Sequence, residues 1–150
     1  MAEPATPTAS QEVEVTPDGL VYHQVISVPY QYTAGPAQRA FLRGLAERRI
    51  LGSRAGDAVL VPARPFAPDG SRTGDLVEVG DHGEVVAWTT VPRDGGPVTY
   101  GLIRLDGATT PLLHRLDVPA ERLAVGLRVR ARWAAEPTPS ITAIDAFVLA

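Results

Sequence analysis

The sequence predicts a mainly β protein in which a small barrel follows a single helix. Two observations support this fold class. From Leu76 onward, short apolar stretches of strand length alternate with turns rich in glycine and aspartate. Before that point, Phe41, Leu42 and Leu45 follow the 3.6-residue spacing of one helix face. Five or six short strands, with one helical turn before the last pair, are typical of a closed or partly open OB-type barrel.

The N-terminal third contains a tail, an arm and the helix. Residues 1–18 are rich in Ala, Pro, Thr and Glu and predict a disordered tail. The arm and helix follow in residues 19–52. Gly19–Tyr32 is an extended arm in which Pro29, which has no N–H to donate, indicates an edge or unpaired strand. The helix begins at Pro36, where a missing N–H is harmless, and ends within residues 47–49.

The rest of the chain is read as a bent segment, residues 53–72, and the barrel, residues 73–150. Glycine, aspartate and proline clusters separate the strands. The predicted strands are Ile50–Arg54, Ala58–Val61, Leu76–Val79, Glu84–Val91, Val98–Leu105, Thr109–Leu116, Gly126–Ala134 and Ile141–Leu149. A helical turn is expected at Val118–Leu123, with Asp117 as its N-cap.

Composition excludes several classes of protein. The chain has 150 residues, 45% of them hydrophobic, and can bury a core of its own. It has no cysteine, so it has no disulfide, no thiolate metal site and no cysteine nucleophile. No signal peptide or membrane span is seen, and we predict a cytoplasmic protein. A net charge of −3 gives no general attraction to nucleic acid.

No catalytic constellation is evident. No serine lies in a nucleophile elbow, and no glycine-rich phosphate loop is present. The histidines, at 23, 82 and 114, are far apart. His114 is either an acid or base at the barrel mouth or a half-buried strand residue. The second interpretation is favoured because no orienting partner is evident. We therefore predict no catalytic residue.

Arginines supply all 14 basic residues and two candidate phosphate sites. Arg128, Arg130 and Arg132 alternate with apolar residues, which is typical of the solvated face of a strand, although such a stripe also binds phosphates. The arginines of the helix are better candidates for binding a nucleotide phosphate, because aromatic side chains nearby could stack on a base. These candidates are Arg39, Arg43, Arg48 and Arg49.

Aromatic side chains before the barrel suggest a protein interface. Tyr30 and Tyr32 lie on an arm with no evident core of its own, and Phe41 follows in the helix. Exposed aromatic residues are enriched at protein–protein contacts. We predict these three residues, together with Arg64 and Phe66 of the bent segment, at a partner interface.

The order of several short motifs resembles the family of OB-fold proteins with a rubredoxin-like zinc ribbon, catalogued as domain of unknown function thirty-five. The resemblance covers about residues 28–149. Its motifs are Pro29-Tyr30-Gln31-Tyr32-Thr33-Ala34-Gly35, Phe41-Leu42-Arg43-Gly44-Leu45, Arg49-Ile50-Leu51-Gly52, Val61-Pro62-Ala63-Arg64 and Leu105-Asp106-Gly107-Ala108-Thr109-Thr110-Pro111-Leu112-Leu113-His114.

The resemblance implies a zinc ribbon that has lost its ligands. The family's four cysteines fall here at Arg54, Asp57, Ala67 and Gly70. Arginine, alanine and glycine side chains do not bind zinc, and a single aspartate cannot form a tetrahedral set. We predict a degenerate, cysteine-free zinc-ribbon-like hairpin with no metal. It would be held by Asp57 pairing with Arg54 or Arg64, or by packing on a partner protein or on the barrel through Phe66 and Val61.

The resemblance also implies a function. Members of the family are non-catalytic subunits of thiolase-like, lipid-transfer-type acyl-CoA enzymes, including aldolases that act on steroid side chains. This chain would dock on such an enzyme as a hetero-oligomer and help shape the acyl-CoA site. It would bind no cofactor itself, with acyl-CoA at the interface. Two alternatives remain open: a free-standing OB-fold that binds single-stranded nucleic acid, and a small acyl-CoA enzyme using His114.

Overall fold

The computed structural model describes residues 11–24 and 33–150. The chain divides into two units, Met1–Thr33 and Ala34–Ala150. The structure is mainly β, with one α-helix and ten strands in the described ranges. In those ranges, no helix combines the length and the apolar content that a membrane span requires.

The first unit contains an antiparallel hairpin. Strand β1, Gln11–Thr16, pairs with strand β2, Gly19–Gln24, in a register that sets Thr16 opposite Gly19. At the turn, the Thr16 hydroxyl donates to the Gly19 carbonyl at 3.0 Å. The prediction of a disordered tail over residues 1–18 is therefore wrong for residues 11–16, because pairing with β2 orders this polar segment. Residues 1–10 and 25–32 lie outside the described ranges.

The second unit begins with helix α1, Pro36–Ala46. Proline occupies the first turn, as predicted, and the buried stripe includes Phe41 and Leu45. Gly44 is also buried, since a Cβ there would lie 3.0 Å from the Arg49 carbonyl oxygen. The helix ends where Arg48 adopts a φ of 59°, which turns the chain into the next strand.

A three-stranded antiparallel sheet follows the helix. Its strands are β3, Ile50–Ala55, β4, Ala58–Leu60, and β5, Leu76–Val79. Their order is β4-β3-β5, with β3 in the centre. The sequence predicts β5 as a barrel strand. It pairs with β3 from Ile50 opposite Val79 to Ser53 opposite Leu76, so it closes this sheet instead.

The remaining five strands form the predicted closed barrel, in the order β10-β8-β7-β6-β9. The strands are β6, His82–Val91, β7, Val98–Leu105, β8, Leu112–Leu116, β9, Arg128–Trp133, and β10, Ile144–Leu149. All neighbours are antiparallel except β8 and β10, whose parallel pairing is restricted to Phe147 opposite Leu116.

Several element boundaries differ from prediction, among them the starts of β6 and β9, each by two residues. Strand β8 begins at Leu112 rather than Thr109, since Thr109 and Thr110 bond to the smaller sheet. The turn before β9 is a 3-10 turn at Ala120–Arg122 whose N-cap is Pro119. Asp117 is therefore not a cap, and its carboxylate accepts instead from Arg132. A second 3-10 turn, Ile141–Ala143, precedes β10.

One hydrophobic core joins the helix, the small sheet and the barrel. It includes Phe41 from the helix, Val61 after β4, Val79 from β5, and Ile103 and Phe147 from the barrel. Burial of this shared apolar area is the main stabilising contribution to the second unit.

Replacing Gly83 with alanine is expected to destabilise the second unit. A Cβ there would lie 2.5 Å from the Arg104 carbonyl oxygen and 2.9 Å from the Leu105 Cα. These are backbone atoms of β7, so relief requires a strand shift, and overpacking of this kind costs about 1–3 kcal/mol. Urea unfolding measures the loss. Gly95→Ala is the control, since nothing lies within 4 Å of its Cβ position, and equal stability of the two variants would contradict the expectation.

Candidate functional site

The first turn of the ribbon-like segment carries Arg54 and Asp57. Gly56 has a φ of 58°, which allows the tight reversal from β3 to β4. Both charged side chains are exposed. The backbone N–H of Arg54 donates to the Asp75 carbonyl at 3.0 Å. Within the described ranges, Asp57 forms no ion pair with Arg54 or Arg64, so the predicted aspartate–arginine pair is absent.

The second turn carries Ala67 and Gly70. The Gly70 N–H donates to the Ala67 carbonyl at 3.0 Å, and the Ala67 N–H donates to the Ser71 carbonyl at 2.9 Å. The Asp69 carboxylate accepts from both the hydroxyl and the N–H of Ser71. These hydrogen bonds, the hydroxyl's first, lower the pKa of Asp69 below its ordinary value. The aspartate is thus used to shape its own turn.

These two turns do not fit a zinc ion. Of the four positions that cysteines would occupy, only Asp57 offers a ligating side chain. Across residues 11–24 and 33–150, no group of three or more histidine, aspartate and glutamate side chains is placed to hold a metal ion. Tetrahedral zinc needs three or four such donors. The ribbon-like segment must therefore be held by other interactions.

Two hydroxyl groups connect the loop between β4 and β5 to itself and to β3. Ser53 of β3 is 1% exposed, and its hydroxyl accepts from the Arg64 N–H at 3.1 Å. From the other end of the loop, the Thr73 hydroxyl donates to the Arg64 carbonyl at 2.6 Å. Both the N–H and the carbonyl of Arg64 thus have a hydrogen-bond partner. These two bonds tie Arg64 to β3 and to Thr73 near the far end of the loop.

Phe66 does not bury the loop. Its ring is 48% exposed and lies under the guanidinium of Arg72, whose Cζ is 5.4 Å from the ring centroid. Val61, in contrast, is fully buried in the core. Packing within the chain is thus confirmed for Val61 and is wrong for Phe66, which faces outward with Arg72, while packing of Phe66 on a partner protein stays a prediction.

The predicted interface residues separate into three groups. Phe41 is 2% exposed in the core, so it offers no surface to a partner, and its placement at an interface is wrong. Phe66 and Arg64 are exposed and lie on the same loop. Tyr30 and Tyr32 lie outside the described residues.

The four arginines of the predicted phosphate site on the helix differ in whether they are already paired. Arg39 and Arg43 are one turn apart on α1 and exposed, and Arg48 follows the helix end. Arg49 is already engaged, donating to Glu78 at 2.9 Å and to Glu47 at 3.1 Å. The hydrogen bond to Glu78 is the main cause that raises the pKa of Arg49. Arg49 is therefore poorly placed to bind a phosphate.

Two arginines of the β9 stripe pair with aspartates. Arg128 binds Asp106 through two parallel hydrogen bonds of 2.8 and 2.6 Å. This contact lowers the pKa of Asp106. Arg132 bridges Asp117 and Asp145. Two of the three arginines are thus neutralised within the chain, and the interpretation as a solvated strand face is supported.

His114 is a buried strand residue. It is 9% exposed, and its ring packs edge-on against Phe147 at a centroid distance of 5.6 Å. Its Nε2 lies 3.2 Å from the Ile141 carbonyl, which can only accept, so Nε2 carries the proton. Nδ1 is buried without a partner in the structure. Among the residues that the structure describes, no carboxylate contacts this ring, and the acid–base interpretation gains no support.

Beside His114 is an open cleft of about 440 Å³ on the barrel surface. We call it the β8 cleft. It is lined mainly by Tyr100, Leu113, His114, Arg115, Ile141 and Ile144. A smaller groove of about 210 Å³ adjoins it across Tyr100 and Leu113 and is lined by Trp88 and Leu102 as well.

Sequence reasoning missed this surface. Leu113 is 62% exposed, and Leu102, opposite it in the register, is also exposed. The sequence did contain a signal. Strands β7 and β8 carry leucines on both faces, whereas a strand with one buried face needs them only on that face. An apolar outer row of this kind marks an interaction surface.

Comparison with known proteins identifies the barrel. A family model described as the ChsH2 C-terminal OB-fold domain matches residues 76–134. This match supports the assignment of the barrel to the OB fold. No curated protein resembles the whole chain closely enough to count as a match.

Two solved structures share the fold of the chain. One is a protein of unknown function from the DUF35 family of Sulfolobus solfataricus, at 22% identity and a TM-score of 0.59, covering 77% of this chain and 87% of that one. The other is a chain of the Ltp2–ChsH2(DUF35) aldolase, at 19% identity and a TM-score of 0.57, covering 79% and 96%. The second unit therefore has the DUF35-type fold.

Substituting Ser53 is expected to loosen the ribbon-like segment. Ser53→Ala removes the acceptor of the Arg64 N–H and leaves that donor unpaired at a partly buried site. Such a loss costs about 1–3 kcal/mol. The free energy of unfolding and the exchange rate of the Arg64 amide measure it. Ser71→Ala is the control, because its hydroxyl is exposed and bonds within the turn. A stable Ser53→Ala variant with a protected Arg64 amide would contradict this.

Metal removal is expected to change nothing. The donor set of the two turns does not fit zinc, so EDTA should leave the melting temperature of the purified chain unchanged. Elemental analysis should find no stoichiometric zinc. One zinc per chain, or a lower melting temperature in EDTA, would show that donors outside the two turns hold a metal.

Proposed function

We propose that the protein is a non-catalytic accessory subunit that docks on a thiolase-fold acyl-CoA enzyme in the cytoplasm, such as an aldolase or acyltransferase acting on CoA thioesters. It stabilises that enzyme and helps to shape the site that binds the acyl-CoA. The catalytic groups belong to the partner. Acyl-CoA is held at the interface, and no cofactor is bound by this chain alone.

The likeness to the Ltp2–ChsH2(DUF35) aldolase carries the proposal. The shared fold extends over 79% of this chain and 96% of the aldolase chain. Fold alone does not fix function. Here it is joined by a match of the barrel to the ChsH2 OB-fold domain, which is a second and independent similarity to the same protein.

The chemistry of the described residues agrees with a non-catalytic role. A general base needs a proton-accepting atom in reach of substrate and an orienting partner. His114 Nε2 is occupied by a backbone carbonyl, and Nδ1 is buried. His82 contacts Asp81 at 2.8 Å on the exposed surface, away from any cleft that the structure describes.

Electrostatics favour a protein partner over single-stranded nucleic acid. An oligonucleotide needs a continuous basic groove with stacking aromatics. On the barrel, Arg104 pairs with Glu84, and Arg128 and Arg132 pair with aspartates. Arg115 and Arg130 are exposed without an ion pair to another described residue, but the surface beside Arg115 is apolar at Leu102 and Leu113 rather than a continuous basic groove. If the helix contributes to acyl-CoA binding, Arg39 and Arg43 are the arginines we propose for the phosphates.

The test is to purify the tagged, full-length chain from its native cytoplasm and identify what accompanies it. We expect a thiolase-fold acyl-CoA enzyme at fixed stoichiometry, measured as the mass of the complex. That enzyme should lose activity or thermal stability when the chain is removed, and the chain alone should turn over no acyl-CoA. A strain carrying the tag without the protein is the control. Recovery of the chain alone, or with nucleic acid, contradicts the proposal.

A further inference from the structure

The edge of strand β8 that faces β10 is largely unpaired. On its other side, β8 pairs with β7 along its whole length, from Leu112 to Leu116. Toward β10, pairing is restricted to Leu116 opposite Phe147. Next to that pair, β8 lies beside the 3-10 turn Ile141–Ala143, whose Ile141 carbonyl oxygen is 3.2 Å from His114 Nε2.

The direction of the backbone groups along this edge follows from one hydrogen bond. The Asp117 N–H donates to the Phe147 carbonyl at 2.8 Å, so the peptide groups of Asp117 point toward β10. Along a strand, these groups alternate between the two sides. The N–H groups of Leu113 and Arg115 therefore point the same way. On that side Leu113 lies beside the 3-10 turn, and its N–H bonds no described residue there, so β8 presents a free backbone donor at the β8 cleft.

The cleft beside this donor is apolar. Leu113, Ile141 and Ile144 line its walls, and the hydrogen bond from His114 Nε2 to the Ile141 carbonyl holds the 3-10 turn at a fixed distance from the strand. An extended chain that uses backbone donors needs such walls for its alternate side chains.

One charge at the cleft is not neutralised. Arg115 is exposed and forms no ion pair with another described residue. Asp145 lines the same cleft, but its carboxylate accepts hydrogen bonds of 2.6 and 2.8 Å from Arg132. An occupant is therefore complementary when it carries a carboxylate next to apolar side chains.

We propose that the β8 edge, Leu113–Arg115, binds an extended segment of the partner enzyme by β-strand addition. The segment places apolar side chains in the cleft and a carboxylate on Arg115. This inference rests on the proposed function for the identity of the partner. It adds the place and the mode of docking.

Two other occupants are less complementary. A second copy of the chain, paired edge to edge, would bring two unneutralised Arg115 side chains onto one short ladder without an acid between them. A single-stranded nucleic acid would meet one free cation and walls of leucine and isoleucine. Only a peptide supplies backbone acceptors, apolar side chains and a carboxylate together.

The first experiment measures amide hydrogen exchange of the full-length chain alone. Leu113 should exchange faster than Leu112 and His114, whose N–H groups point toward β7. Addition of the enzyme captured with the chain should then protect Leu113. Equal protection of all three amides in the free chain means that the edge is closed and overturns the inference. Protection by a single-stranded oligonucleotide overturns it as well.

The second experiment compares capture of the enzyme by variants. Leu113→Pro removes a donor that faces the cleft, a position at which an edge strand tolerates proline. Arg115→Glu reverses the free charge. Each should weaken capture at least tenfold. Arg130→Glu is the matched control, since Arg130 is an exposed barrel arginine with no described ion pair. It should capture as the unchanged chain does, and the far-ultraviolet spectrum verifies folding of each variant.

The outcomes separate the two proposals. If the unchanged chain captures the enzyme and both β8 variants capture it equally well, strand addition is wrong and the accessory role stands. If Leu113→Pro fails to fold, Arg115→Glu and the exchange data decide. If the unchanged chain captures no acyl-CoA enzyme, the proposed function is wrong. The identification of the strand's partner as that enzyme is then wrong as well.

Discussion

Two threonine hydroxyl groups join the small sheet to the barrel, and the rest of the second unit depends on that junction. The N–H of Val59 donates to the Thr109 hydroxyl at 3.0 Å, and the N–H of Val61 donates to the Thr110 hydroxyl at 2.8 Å. The Thr109 N–H returns a bond to the Val59 carbonyl. The outer edge of β4 is thereby satisfied by the loop before β8, and the core can run through both layers without an unpaired strand edge between them.

This junction explains how a ribbon-like segment exists without metal. A small zinc-bound unit takes most of its folding free energy from the ion. Here the segment shares the core of a larger unit, and its loop is fixed by hydroxyl groups at Ser53 and Thr73. Hydrogen bonds between neutral groups and shared apolar burial hold the segment without metal–ligand bonds. Glycines at 56 and 70, both at positive φ, allow its two turns.

The outer surface of the barrel has a charged region on β9 and an apolar region across β6, β7 and β8. On β9, arginines are paired with aspartates of neighbouring loops and strands, and such exposed pairs contribute little to stability. Across β6, β7 and β8, the outer row is apolar at Leu102 and Leu113 and ends at the free cation of Arg115. The first surface is suited to solvent. The second is suited to another protein, because apolar area and an unpaired backbone edge are both costly to leave in water.

The sequence by itself determined the fold class, the single helix and most strands, because apolar periodicity and turn residues are local signals. It also identified the missing ligands, since no arrangement in space makes alanine or arginine bind zinc. The partner of each strand was decided by the tertiary structure. Leu76–Val79 reads as a barrel strand, yet it pairs with β3, because pairing depends on which edge is free after folding. Phe41 reads as an interface aromatic, yet the small sheet and barrel cover it. Only the tertiary structure brings Ile141 beside His114 and leaves the edge of β8 open, since both depend on residues 27 positions apart in the chain.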